Sequence, residues 1–192
     1  MEIMKLMEWC RTYRRFDQSR QIPEDVLNRI MESARLANSA SNRQQLRFLV
    51  VRSPETVEKI FPFTHWAAIL PKELGQPKDG EHPVLFVVPT YEAAEKAKWT
   101  DVDIGIAETR MTLAAAADGV GSCILANIER DPIREVLGLP ASTEIATIVA
   151  FGYPTHASHI VPMKDGDVKY YLDEKKDYCV PKRSREELFR IV

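Results

Sequence analysis

Cysteine, glycine and uncharged apolar runs are scarce in this chain, and each scarcity removes a class of function. Three cysteines, Cys10, Cys123 and Cys179, are spread over 192 residues with no Cys-x-x-Cys spacing. That excludes a disulfide framework and a cysteine-held zinc site. Eight glycines form neither a Walker loop nor a dinucleotide fingerprint. The pair Gly119 and Gly121 follows a helical pattern rather than a strand, so a Rossmann reading fails. There is no Gly-x-Ser-x-Gly elbow, and no nucleophile–base pair emerges. The net charge of −2 leaves no global footprint for nucleic acid. The longest apolar run, 101–120, carries Asp103, Glu108, Arg110 and Asp118, which lipid does not tolerate, so no membrane partner is expected. The N-terminal residues lack the apolar core of a signal peptide, and the expected compartment is the cytoplasm. His156 and His159 are metal-type residues, but no third ligand is obvious and no metal site is expected. An enzyme with no reactive group of its own needs a cofactor to carry its chemistry.

The run that is present organises the rest. Residues 101–120 contain good helix formers and no proline, which predicts a helix. Ile104, Ala107, Met111 and Ala114 share one face; Val102, Ile106, Leu113 and Ala117 share another. Only a narrow stripe through Asp103 and Arg110 is polar. Such a helix belongs in a core, and its four consecutive alanines allow close approach of another backbone, in the same chain or in a second copy. With 45% apolar residues the chain reads as one globular domain over 1–192.

Before this helix, Ile3, Leu6, Met7 and Cys10 mark a short amphipathic helix. It ends in the basic cluster Arg11-Thr12-Tyr13-Arg14-Arg15. Alone, that cluster reads either as a solvated face or as an anion site, because guanidinium forks match phosphate oxygens. Pro23 opens a second helix. It stops at Asn38-Ser39-Ala40-Ser41-Asn42-Arg43-Gln44-Gln45, a polar loop suited to a capped connection or to an uncharged ligand edge. Strands are expected at 48–51, 84–88 and 145–151, and an extended segment at 124–128. Residues 62–83 are irregular and lid-like, with a short apolar helix hinted around Trp66. Residues 155–181 also read as irregular, part of an extended C-terminal arm over 155–192 that wraps a partner. Within it, Ser184 and Glu187 form a capping-box pattern. The free amides of that helix start, beside Lys182, Arg183 and Arg185, suit an anion.

Taken together and in order, these pieces resemble the nitroreductase family of flavin-dependent oxidoreductases. The carriers are Arg11-Thr12-Tyr13-Arg14-Arg15-Phe16, the loop 37–46, Gly119-Val120-Gly121-Ser122-Cys123, Phe151-Gly152-Tyr153-Pro154 and the basic segment 182–185. The resemblance implies an α+β sandwich, a mainly antiparallel central sheet flanked by helices, entwined as a homodimer. It implies tightly bound FMN at the subunit interface, reduced by NAD(P)H and reoxidised by a nitroaromatic, quinone or similar small acceptor in a ping-pong cycle. Arg11, Thr12 and Arg14 would hold phosphate, ribityl chain and pyrimidine edge, with Arg14 also stabilising charge on the reduced ring. Ser39, Ala40 and Asn42 would come from the other subunit, and Gln44 would also contact the cofactor. Ala126 and Asn127 would face the central ring, and Lys182, Arg183 and Arg185 the phosphate. The family's first arginine is Cys10 here, its two loop prolines are Asn38 and Gln45, and its tryptophan is Leu46. The alternative function is flavin binding or storage with little turnover.

Overall fold

A computed structural model describes residues 2–192. In chain order the helices are α1 (Ile3–Trp9), α2 (Glu24–Arg35), α3 (Pro54–Ile60), α4 (Lys72–Gly75), α5 (Thr100–Ala117), α6 (Arg130–Leu137) and α7 (Arg185–Leu188). The strands are β1 (Arg47–Val51), β2 (Leu85–Glu92), β3 (Gly121–Leu125), β4 (Thr143–Ile145), β5 (Ile148–Gly152), β6 (Ser158–Pro162), β7 (Tyr171–Leu172) and β8 (Tyr178–Lys182).

The main sheet runs β1-β2-β5-β3, with β4 also on β2, and all its pairs are antiparallel. The apolar run that forms β2 shows no alternation in sequence because both of its faces are covered. The strand period of two is nonetheless obeyed. Phe86 and Val88, with Ile148 and Ala150 of β5, join one core with Phe16, Trp66, Ile60 of α3 and Ile133 of α6. Leu85 and Val87, with Val149 and Phe151, join the other with Leu27 and Ile30 of α2 and Met111 and Ala115 of α5. The result is the expected sandwich, a sheet between two helical layers.

The strand expected at 145–151 is divided. Ala146 and Thr147 interrupt it, and the Arg130 guanidinium fills the gap, donating to the carbonyls of Ile145 at 2.9 Å and Ala146 at 2.8 Å. Pro89 lies in the adjoining stretch of β2, where Ala146 N–H donates to its carbonyl at 3.0 Å. A proline is tolerated there because the ladder is already broken.

Other expectations also change. Asp103 is not on a solvent stripe: it is 2% exposed, and its Oδ1 accepts the Ala40 N–H at 2.8 Å. A carboxylate in the first turn of α5 suits the positive end of the helix dipole. Glu108 is buried as well and accepts the Thr147 hydroxyl. Trp66 is not in a helix; it is buried against Phe16 and Phe61, between a 3-10 turn at Phe61–Phe63 and the short helix α4. Residues 155–181 are not irregular. They contain most of a small sheet in which β8 pairs β6 in parallel and β7 antiparallel. Its polar composition hides it because few of its side chains face the core; Tyr178 and Cys179 do.

Candidate functional site

The basic cluster after α1 is fixed by its own backbone. Tyr13 N–H donates to the Ser122 carbonyl at 2.8 Å, and Thr12 pairs with Ser122 as a parallel bridge along the edge of β3. Gly121 permits that approach: a Cβ there would lie 2.7 Å from Pro154 Cγ and 2.8 Å from Tyr13 Cδ2. Arg11 bends back, its Nη2 donating to the Met7 carbonyl at 2.7 Å near the end of α1. Its Nε is buried with no partner.

A cavity of about 330 Å³ opens beside this segment, lined by Cys10, Arg11, Thr12, Arg14, Thr112, Ser122, Ile124, Tyr170, Val180 and Lys182. Its size is at the lower end for small-molecule sites. Three of these side chains are cations and none is a carboxylate. Ile124, on the edge strand, is 43% exposed and offers an apolar shelf. Cys10 is half-buried, and its thiol pKa is pushed up by that burial. Ala126 and Asn127 are exposed immediately beyond β3, where the Asn127 carbonyl accepts the His65 N–H at 3.1 Å.

Among the C-terminal cations, only Lys182 reaches the cavity. Arg183 lies 3.6 Å from Glu187, and Arg185 is exposed at the start of α7. The capping box is present: Glu187 N–H donates to Ser184 Oγ at 3.2 Å and Ser184 N–H to Glu187 Oε2 at 2.8 Å. These two amides are therefore satisfied by the chain itself and are not open to an anion.

The polar loop lies elsewhere. A second cavity of about 400 Å³ is bordered by Asn38, Ser39, Gln44, Gln45, Asp103 and Met111, with further apolar residues from α2, β1 and β2. Ser41, Asn42 and Gln44 have φ near +50°, a region that costs a side-chain-bearing residue about 1 kcal/mol or more. Three tethers to α5 hold the loop in that shape. Asn38 Oδ1 accepts from Arg110, Ala40 N–H donates to Asp103, and Gln45 Nε2 donates to Thr100 Oγ1 at 2.6 Å. Asn38 and Gln45 are the positions of the family's prolines, so side-chain tethers replace ring rigidity here. Ala40 and Asn42 do not line the cavity. The two cavities share no lining residue; α5 borders both, with Thr112 on one and Asp103, Ala107 and Met111 on the other. One chain therefore does not bring Arg11, Thr12 and Arg14 together with Ser39 and Gln44.

Sequence reasoning missed Tyr170 and His156. His156 Nε2 accepts the Arg14 N–H at 3.0 Å, and its Nδ1 donates to the Ala157 carbonyl at 2.9 Å. Both ring nitrogens are thus engaged within the chain. Burial, with Arg14 and Arg15 nearby, holds its pKa down at about 4. No sequence spacing links residue 156 to residue 14.

The profile of the Nitroreductase family matches residues 7–153. The chain belongs to the nitroreductase family. A protein of Archaeoglobus fulgidus, provisionally named an NADH dehydrogenase/NAD(P)H nitroreductase, is 30% identical over 80% of this chain and 86% of its own. An NADH dehydrogenase of Thermus thermophilus is 27% identical over 80% of this chain and 89% of that one. Among solved structures, a nitroreductase with bound FMN from Bacteroides fragilis superposes with a TM-score of 0.67 at 24% identity, covering 88% of this chain and 97% of that one. An FMN-dependent nitroreductase of Clostridium difficile R20291 gives 0.68 at 22%, covering 90% and 96%. These likenesses agree with the sandwich described above.

Proposed function

We propose that this nitroreductase-family chain is an FMN-dependent oxidoreductase that takes reducing equivalents from NAD(P)H and passes them to a small acceptor, a nitroaromatic or a quinone, in a ping-pong cycle. The observation that carries the reading is the cavity with three cations, no carboxylate and a buried, unpartnered Arg11 Nε. That donor set fits a phosphate, and the Ile124 shelf fits a planar ring system. The Thermus thermophilus NADH dehydrogenase and the Bacteroides fragilis nitroreductase with bound FMN support the same assignment. When bound, FMN supplies the two-electron chemistry that no side chain here can perform.

The chain's own residues bind and polarise. Arg11 and Lys182 hold the phosphate, with the Thr12 hydroxyl as a further donor. Arg14 keeps a fixed positive charge at the pyrimidine edge, where it favours the more negative reduced state over the neutral oxidised one. Ala126 and Asn127 present backbone at the reactive ring. Ser39, Asn42 and Gln44 act from a second subunit. The separation of the two cavities supports this division, as do the exposed apolar residues Ile3, Met4 and Met7 of α1 and Val102 of α5. The arm that embraces the partner is the last stretch, where Leu188, Phe189, Ile191 and Val192 are exposed. The cytoplasm is the compartment; among the described residues no helix is long and apolar enough to cross a membrane.

The test compares FMN with riboflavin, which lacks the phosphate. Arg11→Gln and Lys182→Gln should each weaken FMN about ten- to a hundredfold, the loss of a charge-assisted contact of roughly 1.5–3 kcal/mol, and leave riboflavin nearly unchanged. Equal losses for both ligands would overturn the phosphate assignment. Cys10→Arg, which places a fourth cation at the cavity, should tighten FMN. Storage with little turnover is favoured only by Cys10 standing where the family has arginine; NADH consumption that rises when a nitroaromatic or quinone is added excludes it.

A further inference from the structure

Arg14 has no carboxylate partner among the described residues. What holds it is β8 of the small C-terminal sheet together with residues just ahead of β6 and β7. Its N–H is fixed by His156, and its guanidinium lies 4.5 Å from the Tyr170 ring centre and 4.8 Å from that of Tyr178. The His156 ring stands between two tyrosines, with centroids 5.5 Å from Tyr13 and 4.9 Å from Tyr178. Tyr178 is fully buried, and its hydroxyl has no partner. A buried hydroxyl without a partner is costly, so this ring is held by packing, with its face turned to a cation. Tyr170 also lines the first cavity beside Arg14, and its hydroxyl lies 3.5 Å from the Ile69 N–H in the 62–83 segment.

A carboxylate partner would neutralise Arg14; aromatic faces on its guanidinium and an imidazole acceptor for its backbone N–H orient it and leave its charge intact. We propose that His156, Tyr170 and Tyr178 are positioning residues for Arg14, which makes the β6–β8–β7 sheet, with the residues that lead into β6 and β7, the part of the chain that aims this guanidinium into the cavity. The inference rests on the role given to Arg14 above. The sheet therefore belongs to the electrostatics of the site, though only Val180 and Lys182 of its strands, with Tyr170 just ahead of β7, border the cavity.

Two His156 variants separate packing from orientation. His156→Phe keeps an aromatic ring between Tyr13 and Tyr178 but removes the acceptor. His156→Gln keeps an acceptor near the place of Nε2. The first readout is the midpoint potential of bound FMN. Arg14→Gln should make it more negative, His156→Phe should shift it the same way by less, and His156→Gln should match the wild type. Reduction by NADH should slow by roughly tenfold in His156→Phe, since a displacement of ~1 Å can cost up to ~10²-fold. Arg14→Gln combined with His156→Phe should equal Arg14→Gln alone, because the histidine then has nothing to aim. Additive shifts in the double variant, or a wild-type potential in His156→Phe, would overturn the inference. If Arg14→Gln itself leaves the potential unchanged, the role given to Arg14 fails, and a second readout still decides the positioning. In the flavin-free protein the Arg14 side-chain resonances should be shifted upfield by Tyr170 and Tyr178. That shift should be lost in His156→Phe and kept in His156→Gln; its survival in His156→Phe would sink the proposal.

Discussion

At the scale of single residues, His156 and Glu108 depart in opposite directions from their ordinary protonation for one reason, the cost of holding charge away from water. The groups facing His156 are Arg14 and Arg15 from the N-terminal segment, Asp177 ahead of β8, and the rings of Tyr13 and Tyr178. Unfolded, the imidazole takes a proton near 6.5; folded, it stays neutral down to about 4. The unfolded chain thus binds the extra proton first, and stability falls as pH drops through that window, by up to ~3 kcal/mol. Chemical denaturation of His156→Gln from pH 7 to pH 4 should show a flatter acid limb than the wild type. Burial raises the Glu108 pKa above its usual 4.5, and the Thr147 hydroxyl only partly offsets it. Here stability is fully present below 4.5 and is lost as pH rises through the folded value. Glu108→Gln retains an acceptor for Thr147 and has no charge to bury. Its Tm should exceed that of the wild type at neutral pH, and the gap should close toward pH 4. The basic cluster could be read from sequence because arginines are rarely grouped without an anion or solvent to face. The burial of Asp103, Glu108 and His156 could not, since each depends on a partner 63, 39 or 142 residues away.

At the scale of elements, α5 was legible to within a residue or two at its start, because length, alanine content and the absence of proline all agree. Its end was overestimated: the helix stops at Ala117, and Gly119 follows at a φ of +72°. The small C-terminal sheet was invisible for the opposite reason. Its strands are short and mostly exposed or half-buried, so no alternation of apolar residues marks them. The loop 38–45 was legible as polar and without glycine, but not as strained. Its positive φ values are sustained by the three tethers to α5 rather than by residue choice. Gln45→Ala cuts one tether while Thr100 Oγ1 keeps the Ala97 N–H at 2.8 Å, so the loss is that of one hydrogen bond, roughly 0.5–1.5 kcal/mol. Urea denaturation should register that cost. Hydrogen exchange should show faster opening of the Ala40 amide, which Asp103 otherwise protects.

At the scale of the whole molecule, the sandwich followed from the order of motifs, whereas the relation between the two cavities did not, because a sequence cannot say which subunit supplies a loop. A stable dimer is the expected state. Light scattering after size exclusion should give about twice the 21.9 kDa chain mass. A flavin-loaded monomer at micromolar concentration would contradict the assignment of Ser39 and Asn42 to a second subunit.

The seating of the N-terminal cations also has a consequence in time. Residues 12–16 are held by Ser122, Gly152, Pro154 and His156, all made more than a hundred residues later. Closing loops of that length carries an entropic cost that must be met before the contacts repay it, and such pairings form slowly. During synthesis, residues 12–16 therefore have only part of their seat, Trp66 and the Glu81 carbonyl against Phe16, until most of the chain has followed. Chains halted before residue 150 should leave Arg11–Arg15 open to trypsin. Protection should arrive only once β5 and His156 have emerged.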